Sequence, residues 1–126
     1  MKQGIKYNKM RTTSSLFAVM ILLVAACTKS QDDQVTSTFD VSVQGIGGDC
    51  KLPLLDFGSR TAEVGKLIGL TSPNTLYYAI NLDSIYSKAG TSLQVTIRKV
   101  TASEERACTT MGPSYPSVAV TSTLTK

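Results

Sequence analysis

Along most of the chain, apolar and polar side chains alternate in short runs separated by turn-forming residues. Phe39, Val41 and Val43 alternate with Asp40, Ser42 and Gln44, the period of two that marks a strand with one buried face. The same period returns three times. Leu76, Tyr78, Ile80 and Leu82 alternate with Tyr77, Ala79 and Asn81; Leu93, Val95 and Ile97 with Gln94, Thr96 and Arg98; Val118 and Val120 with Ala119 and Thr121. A fifth run, Cys50 to Phe57, is apolar without alternation, and Pro53 cannot donate to a ladder, so it predicts an edge or bulged strand. Gly45 to Asp49 and Ser72-Pro73-Asn74 supply turn chemistry. From Thr61 to Leu70 the spacing of Val64, Leu67 and Ile68 predicts a short helix capped by Thr61 and weakened by Gly65. Asp83 to Gly90 reads as a loop or a single helical turn. Five short strands and almost no helix define an all-β class: a small antiparallel barrel or sandwich over residues 37–126. Closure is attractive because it removes exposed edges from so small a sheet.

The N-terminus follows other rules. Lys2, Lys6, Lys9 and Arg11 precede an uninterrupted apolar run from Leu16 to Ala26, the charged and hydrophobic regions of a secretory signal. The run is too short for a transmembrane helix, which needs about 20 apolar residues. It ends in Val24-Ala25-Ala26-Cys27, which resembles the bacterial lipobox. That resemblance implies cleavage before Cys27 and lipid on its sulfur, so residues 1–26 are expected to be a leader. Two or three acyl chains hold a protein on a bilayer where one does so only marginally. Residues 27–36 are then the lipidated cysteine and a low-hydrophobicity acidic tether containing Asp32 and Asp33. The stretch Ser30-Gln31-Asp32-Asp33 is similar to the acidic surface-export signal of Bacteroidota lipoproteins. Thr28, standing where inner-membrane retention signals place Asp, favours the outer membrane; its periplasmic and extracellular faces both stay open.

Cleavage changes the charge. The full chain of 126 residues has thirteen Lys and Arg against nine Asp and Glu. Four of those bases lie in the leader, which leaves nine against nine. A neutral mature chain gives no argument for nucleic acid as a partner.

With Cys27 assigned to lipid, Cys50 and Cys108 remain, and an oxidising compartment favours a disulfide between them. The competing uses are weaker. The chain has no histidine, so neither a tetrahedral metal site nor a cysteine–histidine nucleophile has its usual partners. The same lack argues against acyl transfer at Asp83, Ser84 and Tyr86. Glu104 and Glu105 are neighbours, would face opposite sides of a strand, and read as a solvated loop. The glycines before Cys50 lead into Pro53 and not into a helix N-terminus, so they read as a hairpin turn and not as a phosphate cradle. No catalytic residue, metal or cofactor is expected. If Leu76, Tyr78 and Ile80 face inward, Tyr77 faces out beside Asn81, and this pair is the candidate ligand-binding surface.

Several of these segments together resemble small lipoproteins of uncharacterised function in the Bacteroidota. They are Cys50-Lys51-Leu52-Pro53-Leu54, Asn81-Leu82 with Tyr86 and Gly90, Val95-Thr96-Ile97-Arg98, Cys108 to Pro113, and Tyr115-Pro116. The likeness covers roughly residues 37 to 124 and implies a compact OB-like β-barrel, with the family's paired cysteines at Cys50 and Cys108. Lys51 stands where many relatives carry glycine, so the form of that turn does not transfer. The resemblance brings no activity with it. The expectation is a non-enzymatic interaction or structural module held to the membrane by lipid on Cys27. A glycan- or small-ligand-binding surface protein and an inhibitor of an extracellular hydrolase are the alternatives.

Overall fold

In the computed structural model the described residues are 34–108 and 112–126. Cys27, the leader and the tether as far as Asp33 lie outside the described residues, and so do the expectations attached to them. The elements are β1 (Thr36–Ile46), β2 (Pro53–Asp56), α1 (Thr61–Ile68), β3 (Leu76–Ile80), β4 (Ser92–Lys99) and β5 (Ser117–Thr125), with single 3₁₀ turns at Gly58–Arg60 and Ser84–Tyr86.

The length of β1 is what closes the sheet. Its first part, Thr36 to Ser42, pairs antiparallel with β4, and its last part, Ser42 to Ile46, pairs antiparallel with β2. The register slips between Val43 and Gly45, where Gly45 takes φ +107°. A bulge of this kind bends the strand and sharpens its twist, so one strand serves two neighbours lying in different directions. The ring runs β1-β2-β3-β5-β4 and returns to β1 as a closed barrel. It is a barrel and not a sandwich.

One feature of the predicted sheet is corrected. The pair β3–β5 is parallel, with Tyr78 opposite Ser117 and Ile80 opposite Ala119. The reason is topological: a ring with an odd number of strands cannot alternate direction all the way round, so one pair must run the same way. Nor is β2 an edge. It pairs with β1 on one side and β3 on the other, and Pro53 is tolerated as its first residue.

Inside the ring, Phe39, Val41 and Val43 of β1 meet Leu93, Val95 and Ile97 of β4, with Leu55, Phe57, Tyr77, Ala79, Val118 and Val120 completing the wall. Phe57 stands edge-on between Phe39 and Tyr77, its ring centroid 5.4 Å from each, a favoured aromatic geometry. α1 covers one end of the ring with Val64 and Ile68. It stops in a Schellman turn, with the Gly69 N–H donating to Lys66 O (3.2 Å) and the Leu70 N–H to Gly65 O (2.8 Å). Gly69 sits at φ +81°, a conformation that suits glycine. Thr61 is not the cap: it is the first helical residue, and its hydroxyl donates to the Asn74 carbonyl instead. Leu82 and Tyr86 pack against the same core as partly buried residues.

A second apolar cluster lies apart from this core. Ile80, Val100 and Ala119 are buried there, with Leu52 packed against them. Ile80 belongs to β3, whose Tyr77 and Ala79 point into the ring, so this strand is buried on both faces.

Candidate functional site

The structure reverses the expected roles of the two tyrosines. Leu55 lies opposite Tyr77 and Leu54 opposite Tyr78, and directly opposed residues share a face. Because Leu55 points into the ring, Tyr77 must do so as well, and it is fully buried (0 % exposed). Its hydroxyl is satisfied locally: it donates to the Thr61 carbonyl (3.3 Å) and accepts the Asn74 N–H (3.2 Å). Tyr77 therefore ties the start of α1 to the turn before β3 and offers no surface to a ligand.

Asn81 is exposed, as expected, but it stands beyond the end of β3 in the left-handed region (φ +66°). Its amide donates to Glu104 Oε1 at 3.4 Å. The structure does not bring Tyr77 and Asn81 together as one surface.

Glu104 lies in a loop, as read, but its side chain is only partly exposed and is held by partners. Arg98 grips it with two hydrogen bonds of 2.7 Å, and Thr101 donates its N–H (3.0 Å) and its hydroxyl (2.9 Å) to Oε2. The Arg98 guanidinium and then the Thr101 donors hold this carboxyl well below the usual glutamate range. Glu105 is exposed, as read. Asp83 caps the Ser84–Tyr86 turn by accepting the Ile85 N–H at 3.0 Å.

Tyr78 points away from the ring yet is also buried (2 % exposed). Its cover is built by two loops. The β1–β2 turn folds tightly, with the Gly47 N–H donating to Leu52 O (2.9 Å) and the Lys51 N–H to Gly47 O (3.1 Å). Gly47 then presses on the tyrosine so closely that a Cβ there would stand 2.3 Å from Tyr78 Cε1. Lys51 adopts φ +56°, an αL position that favours glycine. On the other side the strand leading into β5 brings Tyr115 edge-on to Tyr78, centroids 5.6 Å apart, and the Pro116 carbonyl accepts the Tyr78 N–H at 2.9 Å. Cys50 and Cys108 are bonded to each other, with Cα atoms 4.9 Å apart, and this cross-link fastens the turn to the segment before β5.

Three clefts of ≈ 300, 370 and 320 Å³ meet at Tyr115, which is half-buried and lines all of them. The first runs along the disulfide with Asp49, Arg106 and Ser114; the second has Tyr78, Leu54 and Gly48 as its walls; the third opens over Ile68, Val100 and Lys99. Sequence reasoning missed Tyr115, using Tyr115-Pro116 only as one of the segments that carry a resemblance. Its sole local signal is an aromatic residue placed seven positions beyond a disulfide cysteine.

Asp49 and the two sulfurs lie within 4.8 Å of one another, the spacing of a metal site. Both sulfurs are spent on the disulfide, so neither is a thiolate ligand. A further cleft of ≈ 430 Å³ crosses β1, and its charges are already engaged. Asp40 pairs with Lys126 at 2.8 Å, Arg60 pairs with Glu63 at 2.7 Å and lies over the Phe39 ring, and Asp56 accepts the Gly58 N–H at 2.8 Å.

These features define a small closed β-barrel with a disulfide-stapled outer layer and an aromatic junction on that layer. No protein-family model, curated protein or solved structure matches the chain.

Proposed function

We propose that the chain is a lipid-anchored outer-membrane lipoprotein whose barrel is a non-enzymatic interaction or structural module. The anchor rests on the Val24-Ala25-Ala26-Cys27 lipobox at the end of an apolar leader. The binding role rests on one observation, the half-buried Tyr115 at the meeting point of three clefts. A half-buried aromatic ring held edge-on against Tyr78 suits the anchoring residue of a partner, because tyrosine supplies a large contact area with little rotamer entropy to lose. Asp40, Asp56, Asp83 and Glu104 are committed to ion pairs and turn hydrogen bonds, which supports binding over chemistry.

A second reading, a glycan- or small-ligand site, is favoured by the same ring, which offers the stacking platform first assigned to Tyr77. Two measurements test the proposal. Mass spectrometry of the protein from native envelopes is expected to find acyl chains on Cys27 as the first residue; an unmodified sulfur rejects the anchor. Affinity capture from the same envelopes is expected to enrich a partner that Tyr115→Ala loses. A glycan screen positive for the wild type and negative for that variant selects the second reading.

A further inference from the structure

The end of the barrel where the chain enters has an amphiphilic surface. Gln34, the first described residue, donates from its side-chain amide to the Lys99 carbonyl at 3.1 Å. The next residue, Val35, is 71 % exposed, and Thr36 then pairs with Arg98. Beside this point opens the ≈ 320 Å³ cleft floored by Ile68 and Val100, with Leu70 at its rim. Lys99 and Arg106 line it with a single acid, Glu105. Neither base takes part in an ion pair among the described residues. The Lys99 amine reaches over the C-terminal end of α1, where a Cβ on Gly69 would stand 3.9 Å from Nζ. Two unpaired cations, an apolar floor and an exposed valine are the elements of a surface that meets both phosphates and the carbons beneath them.

The covalent chain says what lies nearby. Seven residue steps separate Cys27 from Gln34, which reach no further than about 25 Å when fully extended. We infer that this end of the barrel rests on the bilayer that holds Cys27, and that the cleft takes a phosphate-bearing lipid headgroup between Lys99 and Arg106. The inference rests on the lipid-anchor reading above and adds an orientation and a ligand class to it. The loop that carries the exposed Ile85 closes at the other end of the β1–β4 ladder, where the Gly90 N–H donates to Val43 O at 2.8 Å.

The test fixes the tether chemically, so that it does not depend on whether cells acylate the sulfur. The chain beginning at Cys27 is coupled through that thiol to a maleimide lipid, the other two sulfurs being bonded to each other. Hydrogen exchange is then compared on vesicles of phosphatidylcholine alone and of phosphatidylcholine with phosphatidylglycerol. Amides in 68–70 and 99–106 are expected to slow on the anionic vesicles, while those in 83–90 stay unchanged. Lys99→Gln combined with Arg106→Gln is expected to lower the docked population about thirtyfold, at roughly fivefold per cation. Both residues are exposed, and the barrel-strand amides in the same spectra report that the fold is intact. Equal exchange on the two vesicles, or protection at 83–90 instead, overturns the inference. So does the same slowing produced by inorganic phosphate on neutral vesicles, which would mark a free-anion site. Slowing that grows with protein density on neutral vesicles would mark a second copy as the occupant and equally overturn it. An unmodified Cys27 in native protein defeats the anchor reading alone and leaves the vesicle result to be judged separately.

Discussion

The two faces of β3 are buried by different means. Tyr77 and Ala79 face a core enclosed by the strands themselves, where each ladder holds the next and the ring has no end. Tyr78 and Ile80 face outward: Tyr78 lies under a glycine turn and the segment before β5, which the disulfide fastens together, and Ile80 packs against Val100, Ala119 and Leu52. The first layer follows from alternation and closure. The second needs particular residues at particular places, and it is where the three clefts around Tyr115 lie. A small barrel thus keeps its closed core and the clefts around Tyr115 on opposite sides of one strand.

The largest effect is expected inside. Tyr77→Ala removes a ring that touches Phe57 and a hydroxyl that serves Thr61 and Asn74. It should destabilise by about 3–5 kcal/mol, the range for large-to-small aromatic changes in cores. Denaturant unfolding measures this, and Tyr77→Phe, which loses only the hydroxyl, should cost about 1–2 kcal/mol. Next is the staple. Replacing Cys50 and Cys108 by serine opens a loop with a sequence separation of 58, and the chain-entropy estimate for such a loop is about 4 kcal/mol. Equal losses for the staple and for Tyr77→Phe would blur the contrast between the layers.

Gly47→Ala should cost about 1–3 kcal/mol, because the added carbon overlaps Tyr78 and overpacking carries that range. Combining it with Tyr78→Leu, which vacates the overlapped position, should recover part of the loss in a double-mutant cycle. Strict additivity would mean that Gly47 and Tyr78 do not press on each other. The smallest effect concerns acid. Glu104 is depressed below its ordinary 4.5 by Arg98 and Thr101, so its contribution is complete above that value and declines as the pH falls below it. Glu104→Gln is therefore expected to flatten the acid limb of the stability curve, measured as the urea midpoint against pH. An unchanged acid limb would show that the Arg98 contact has no energetic weight.

Much of this architecture was legible from the pattern of residues. All five strands lie where the sequence places them, and the inward phase of β1 and β4 is right because Asp40, Ser42, Gln94 and Arg98 mark the outer face. The phase of β3 failed for a physical reason: Leu76 to Ile80 contains no polar residue, so nothing local says which face is wet. In its neighbour β2 the one charged residue is Asp56 at the strand's end, and the pairing of Leu55 with Tyr77 decides the matter. The parallel β3–β5 pair was out of reach because it follows from ring closure. Counting cysteines was enough to find Cys50–Cys108. It could not find Tyr115, whose importance comes from what the staple brings beside it. Glu104 misled for a similar reason, since its partner Arg98 is on a strand whose outward residues look merely solvated.

Hydrogen exchange on the protein, oxidised and then reduced, tests the division into two layers most directly. The account predicts that reduction speeds exchange in 46–50 and 112–117 while the amides of Val41, Val95 and Ile97 keep their protection. If those ring amides are lost together with the outer segments, or if neither set responds, the staple and the barrel are one cooperative unit and the account is contradicted.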